Sequence, residues 1–254
     1  MSAIKEDLEQ FVERLQQSAG ANLQSVVLYG SAARGDFNEQ YSDVNLLVLL
    51  QDTRGAELDK VATVLDWWTK KLRRRPPLVL TEEELSTSAD VFAIETLDVK
   101  TSHRVLFGRD LLASIDVPMN LHRVQLEHEL RTVLLKLRQR YLLARDNEHE
   151  LQQTVAKSAS SIVTLFRHAL IALGKPAPES RREVVTQIAA LDGIDAAPLN
   201  AALDLREGRR VQTGIDTLYH RYMESIAALV RHIDKIAPKH HWQRVSGSSP
   251  ERNG

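Results

Sequence analysis

The sequence predicts an α+β (α/β) protein, with a small mixed-sheet domain over residues 1–116 followed by an all-α helical-bundle domain over 117–238. Two observations carry this expectation. In the first part, short apolar runs alternate with stretches of three- and four-residue apolar spacing, as in strands and helices packed in layers. In the second part only the helical spacing survives.

Ile4, Leu8, Phe11, Val12 and Leu15 define an opening amphipathic helix that ends near Gly20. Residues 25–30 and 44–50 then read as buried strands. Leu58, Val61, Leu65, Trp68 and Leu72 keep a helical period until Pro76 and Pro77 stop it, and the spacing turns Trp68 toward the core. Leu78-Val79-Leu80 is a third strand candidate. Thr81 followed by Glu82, Glu83 and Glu84 predicts a capped short helix. DVFAIETLDV, residues 90–99, is the next strand candidate. Beyond residue 117, faces marked by Leu126 to Tyr141, Leu151 to Leu173 and Val211 to Ile236 predict three long helices. Shorter helical pieces fall between 180 and 206, separated by Gly193 and Pro198. The tail 239–254, KHHWQRVSGSSPERNG, is polar and is expected to be disordered.

Composition narrows the function classes. The chain is 43% hydrophobic and 26% charged, an ordinary globular balance. Its 33 basic and 34 acidic residues leave a formal net charge of −1, so no global field attracts nucleic acid or an anionic membrane. The absence of cysteine excludes disulfides, thiolate metal sites and cysteine nucleophiles. No apolar stretch reaches membrane-spanning length, and MSAIKEDLEQF lacks the apolar core of a signal peptide, so a cytoplasmic location is expected.

The strongest chemical signal is VVLYGSAARGDFNEQYSDVNLLVLL, residues 26–50. Gly30 lets a backbone approach a phosphate closely, and Ser31, opening a helix, offers a hydroxyl and backbone N–H groups. On the following strand Asp43 and Asn45 lie two apart and project to one face. Oxygen ligands so placed suit a divalent cation that would in turn grip phosphates. An isolated Ser42-Asp43 would more simply turn the chain. Gly30-Ser31 and Arg34-Gly35 beside it favour the site.

GSAARGDFNEQYSDVNLLV resembles the signature of the DNA polymerase beta-like nucleotidyltransferase superfamily, Gly-Ser followed after about ten residues by Asp-x-Asp leading into an apolar strand. The bacterial branch of aminoglycoside adenylyltransferases that includes kanamycin nucleotidyltransferase also follows its catalytic domain with a helical one. The resemblance implies a magnesium-dependent enzyme in which a nucleoside triphosphate gives its nucleoside monophosphate to an acceptor hydroxyl, with release of pyrophosphate. It makes Gly30, Ser31 and Arg34 nucleotide-binding residues, and Asp43 a catalytic metal ligand. Asn45 stands where the second acidic ligand belongs. The third acid, from a later strand, falls among Asp90, Glu95 and Asp98. Glu95 and Asp98 are three apart, so a regular strand cannot aim both at one site. Glu95, mid-strand among apolar neighbours, is the preferred metal ligand and catalytic partner of Asp43.

An amide oxygen still ligates Mg2+, but Asn45 removes one negative charge from the cluster. Two readings follow: an adenylyltransferase-type enzyme acting on a small-molecule or protein hydroxyl, or a degenerate member that binds nucleotide as a regulator or partner-binding protein. The bundle is compatible with a homo-oligomer, and no basic track marks a nucleic-acid partner.

Overall fold

The three- and four-residue spacing of Leu8, Phe11, Leu15 and Ala19 builds α1 (Ser2–Ala19), whose buried face lies against the sheet. The computed structural model describes residues 2–34 and 44–236. Asp43 and the tail expected to be disordered therefore lie outside the described residues.

After a short turn, β1 (Leu23–Tyr29) forms an interior strand, followed by α2 (Ser31–Arg34), β2 (Asn45–Leu50), α3 (Gly55–Asp66) and a π-helical turn at Trp67–Lys71. β3 (Leu78–Thr81), α4 (Glu82–Thr87), α5 (Ala93–Thr101) and β4 (His103–Gly108) complete the sheet domain. The strand order is β3-β2-β1-β4, with β1 antiparallel to both neighbours and β3 parallel to β2. Both faces of the sheet are covered, which explains why β1 and β2 read as continuous apolar runs rather than alternating ones. Val26, Leu28, Leu46, Val48 and Leu50 pack with residues of α1 and α3, and with Trp68, whose ring centre lies 4.7 Å from that of Phe11. Val27, Leu47 and Leu49 meet Leu85, Val99, Leu111, Leu112 and Ile115 on the other side.

The cap expected at Thr81 is a complete capping box. Thr81 Oγ1 accepts from the Glu84 N–H at 3.0 Å, and Glu84 Oε2 accepts from the Thr81 N–H at 2.7 Å. The strand expected over 90–99 is instead helix α5, and the sheet's fourth strand is β4. Burial in this segment does not alternate: Ala93, Ile94, Thr96 and Val99 are buried while Glu95 is exposed. The helix start is secured from far along the chain, because Gln125 Oε1 accepts the Ile94 N–H at 2.9 Å and satisfies one of the donors a helix leaves open.

The chain divides into two compact units between Gln125 and Leu126, inside α6 (Met119–Ala144). Gln125 also donates through Nε2 to Glu95, so the first turns of α6 belong with the sheet. In the second unit, α7 (Glu148–Ala172) packs against α8 (Arg181–Ala189), α9 (Ala196–Arg206) and α10 (Ile215–Asp234). Pro198 sits in the first turn of α9, where a missing N–H costs nothing, instead of separating helices. Tyr219 and Tyr222 are fully buried on α10. The Tyr219 hydroxyl donates to the Leu137 carbonyl at 2.8 Å, and that of Tyr222 pairs with Ser158 at 3.1 Å. No helix among the described residues is long and apolar enough to cross a membrane.

Candidate active site

The end of β1 is where the chemistry converges. Gly30 follows Tyr29 with φ +75°, a conformation that side chains other than glycine's rarely adopt. Its N–H donates to the Ser102 carbonyl, and its carbonyl accepts from the Ala33 N–H, both at 3.0 Å. Ser31 and Arg34 are the first and last residues of α2, so the expected strand-turn-helix is present. A Cβ built on Gly30 would lie 3.1 Å from Asn45 Nδ2. Glycine thus permits the close approach of this backbone to Asn45, in addition to the left-handed turn.

Asn45 opens β2 directly opposite Tyr29, and Tyr29 stands opposite His103 at the start of β4. Directly paired residues share a sheet face, and Tyr29 packs with Val27, Leu47 and Val99. The row Asn45, Tyr29, His103 therefore faces the side of the sheet that α5 covers.

α5 carries Glu95 and Asp98. On a helix, residues three apart are neighbours on one surface, so the strand argument that separated these two carboxylates does not hold. Glu95 is exposed rather than set among apolar neighbours, and its Oε2 accepts from Gln125 Nε2 at 2.8 Å. Asp98 is half-buried. Burial pushes the Tyr29 hydroxyl above its ordinary pKa; Arg75 opposes that rise, while Asp98 and, more weakly, Glu95 reinforce it. Both carboxylates and one guanidinium thus act on the central residue of the row. Asp98 was among the candidate third acids, whereas Tyr29 carries no sequence signal of its own. The helical rather than alternating order of residues 93–101 is what brings Glu95 and Asp98 onto one surface.

Lys100 and His103 serve the structure around this end. Lys100 Nζ donates to the Ile115 carbonyl at 2.5 Å. His103 places Nδ1 3.1 Å from the Lys100 carbonyl and Nε2 3.2 Å from Asp110 Oδ2. Burial raises the Asp110 carboxyl, but its bonds from His103 and the Leu112 N–H prevail and hold it below the usual carboxylate range.

Residues 8–99 of this chain match the nucleotidyltransferase domain family. Over 109 residues, 41% of this chain and 71% of the other, it is 28% identical to a candidate protein adenylyltransferase of Methanocaldococcus jannaschii. Its fold is similar to that of spectinomycin adenyltransferase AAD(9) of Enterococcus faecialis, solved with ATP and spectinomycin. That likeness has a TM-score of 0.59 and spans 91% of this chain and 99% of that one. At 13% identity it concerns the fold alone.

Proposed function

We propose that the sheet domain binds a Mg2+–nucleoside triphosphate at the Gly30–Asn45 end and transfers the nucleoside monophosphate to a hydroxyl of a small molecule or a protein. The observation that carries this reading is the approach of Gly30 to Asn45 on the α5 side of the sheet, within a nucleotidyltransferase domain match. The acceptor classes come from the two relatives, one described as acting on protein and the other solved with spectinomycin.

The candidate donors are the Asn45 amide oxygen and the Glu95 and Asp98 carboxylates, oxygen ligands of the kind a hard cation takes, although among the described residues no three acidic or histidine side chains form a ready metal cluster. Asp43, two residues before Asn45, would be the further ligand. When bound, Mg2+ supplies charge neutralisation for the departing pyrophosphate. Gly30, Ser31 and Arg34 bind the triphosphate and orient its α-phosphorus. The acceptor oxygen forms its bond to that phosphorus as the bond to pyrophosphate breaks, and the hydroxyl proton passes to a carboxylate of α5. Asp98, half-buried on α5 while Glu95 is exposed and bonded to Gln125, takes the third-acid role, with Glu95 beside it.

Asn45 favours a second reading, a nucleotide-binding protein with little turnover, because the neutral amide leaves the cluster one charge short. Pyrophosphate release with ATP, Mg2+ and a panel of hydroxyl acceptors separates the two. The enzyme reading predicts release that Asp98→Asn abolishes and Asn45→Asp raises by about tenfold or more, the scale of one well-placed charged ligand. ATP binding without release in the parent, together with release in Asn45→Asp, identifies a disabled enzyme. Release that survives Asp98→Asn and Glu95→Gln together would show that α5 does not hold the proton acceptor.

A further inference from the structure

Arg75 stands at the same end of the sheet on a segment whose backbone is fixed from several directions. β3 runs parallel to β2 with Leu78 opposite Leu47. The residues before Leu78 therefore reach back toward the end where Asn45 begins β2. Three residues of extended chain span about 10 Å, enough to bring Arg75 past the level of Asn45. The indole of fully buried Trp68 donates through Nε1 to the Arg75 carbonyl at 2.9 Å. One residue earlier, Arg74 pairs with Asp7 of α1 at 3.1 Å, and Arg73 makes a left-handed turn at φ +53°. Pro76 and Pro77 follow and lock the next two φ angles. This framework holds the Arg75 backbone while its side chain is exposed.

We propose that Arg75 is a phosphate-binding residue of this site, its guanidinium meeting the triphosphate of the nucleotide beside Gly30 and Asn45. The inference rests on the nucleotide-binding reading above and adds a residue to it. A guanidinium presents several donors in a rigid fork that suits phosphate oxygens, and it stays charged at every working pH. Its location is supported by the parallel register of β3 on β2 and by the Trp68 bond that fixes its carbonyl. Because Asn45 lacks the charge that would help hold a second dication, a fixed cation here neutralises phosphate without needing metal.

The simpler role for Arg75 is to hold the α5 carboxylates. The two roles separate when metal is removed. Calorimetric titration of the full chain with inorganic tripolyphosphate in EDTA, and with ATP and Mg2+, is compared between parent, Arg75→Lys and Arg75→Gln. We expect Arg75→Gln to weaken both ligands by about 10- to 100-fold, the range of a charged hydrogen bond, with the melting temperature unchanged and Arg75→Lys intermediate. Should Arg75→Gln fail to fold, Arg75→Lys keeps the charge, loses the fork and gives the same comparison with a smaller loss. Undiminished tripolyphosphate affinity in the variants, with or without a loss of Mg2+–ATP binding, overturns the phosphate role while the nucleotide reading stands. A parent that binds neither ligand removes the nucleotide reading and this inference together.

Discussion

The two ends of the β1–β2 pair use similar residues for different ends. At the far end, Asn22 and Asp52 close on each other. Asn22 Nδ2 donates to the Asp52 carbonyl at 3.0 Å, its Oδ1 accepts the Asp52 N–H at 2.8 Å, and Arg54 folds onto the Asp52 carboxylate. The hydrogen bonds from the Arg54 side chain and backbone hold the Asp52 carboxyl below its ordinary range. At the near end, Asn45 lies against a left-handed glycine and opposite Tyr29, on the side of the sheet that α5 covers. An asparagine whose donor and acceptor both serve a turn is architecture. One placed beside a backbone that has made room for it is a candidate for chemistry.

Glycine substitutions should break this contrast most sharply. Gly30→Ala forces a side chain into the left-handed region and toward Asn45, and should cost about 1–3 kcal/mol in urea denaturation. Gly55→Ala, at the start of α3 with open space around it, should be neutral or stabilising by under about 1 kcal/mol. Equal losses at the two positions would mean that the Gly30 turn is not strained by a side chain.

Asparagine substitutions come next. Asn22→Ala removes two hydrogen bonds and should lower stability by about 1–2 kcal/mol while leaving ATP affinity unchanged. Asn45→Asp should do the reverse, changing Mg2+-dependent pyrophosphate release with little change in the urea midpoint. If Asn22→Ala weakened ATP binding as much as any near-end change, the two ends would not be functionally distinct.

The smallest effect is expected in the helical unit. Burial pushes the Tyr219 hydroxyl up to about 12 and raises that of Tyr222 further. A folded-state pKa above the unfolded value near 10 favours the protonated fold. Its stabilisation is complete below pH 10 and is lost as the pH climbs toward 12. Denaturation at pH 8 and pH 11 should show the parent losing more stability than Tyr219→Phe. Equal losses would contradict this assignment of the pH dependence.

The near end was partly legible in the sequence because its signals are local. Gly30-Ser31 after an apolar run, and a polar pair opening the next, specify a turn and a strand without distant help. The capping box at Thr81 was readable for the same reason. α5 was not, since the group that secures its first turn is Gln125, about thirty residues on. Reading 90–99 as a strand then set Glu95 and Asp98 on opposite faces, a separation that the helix removes. β4 escaped notice because HRVLFG, at the sheet edge, lacks the long apolar run of the two interior strands. Arg75 closes the run Arg73-Arg74-Arg75 before the two prolines, an ordinary basic end to the preceding helix. The place proposed for it depends on β3 pairing parallel to β2, which nothing local encodes.

The most direct test is calorimetric titration of ATP with Mg2+ into the full chain and into its Gly30→Ala variant. The account predicts submillimolar binding by the parent and loss of that binding in the folded variant. A parent that binds no nucleoside triphosphate below millimolar concentration, or a variant that binds as tightly as the parent, would contradict it.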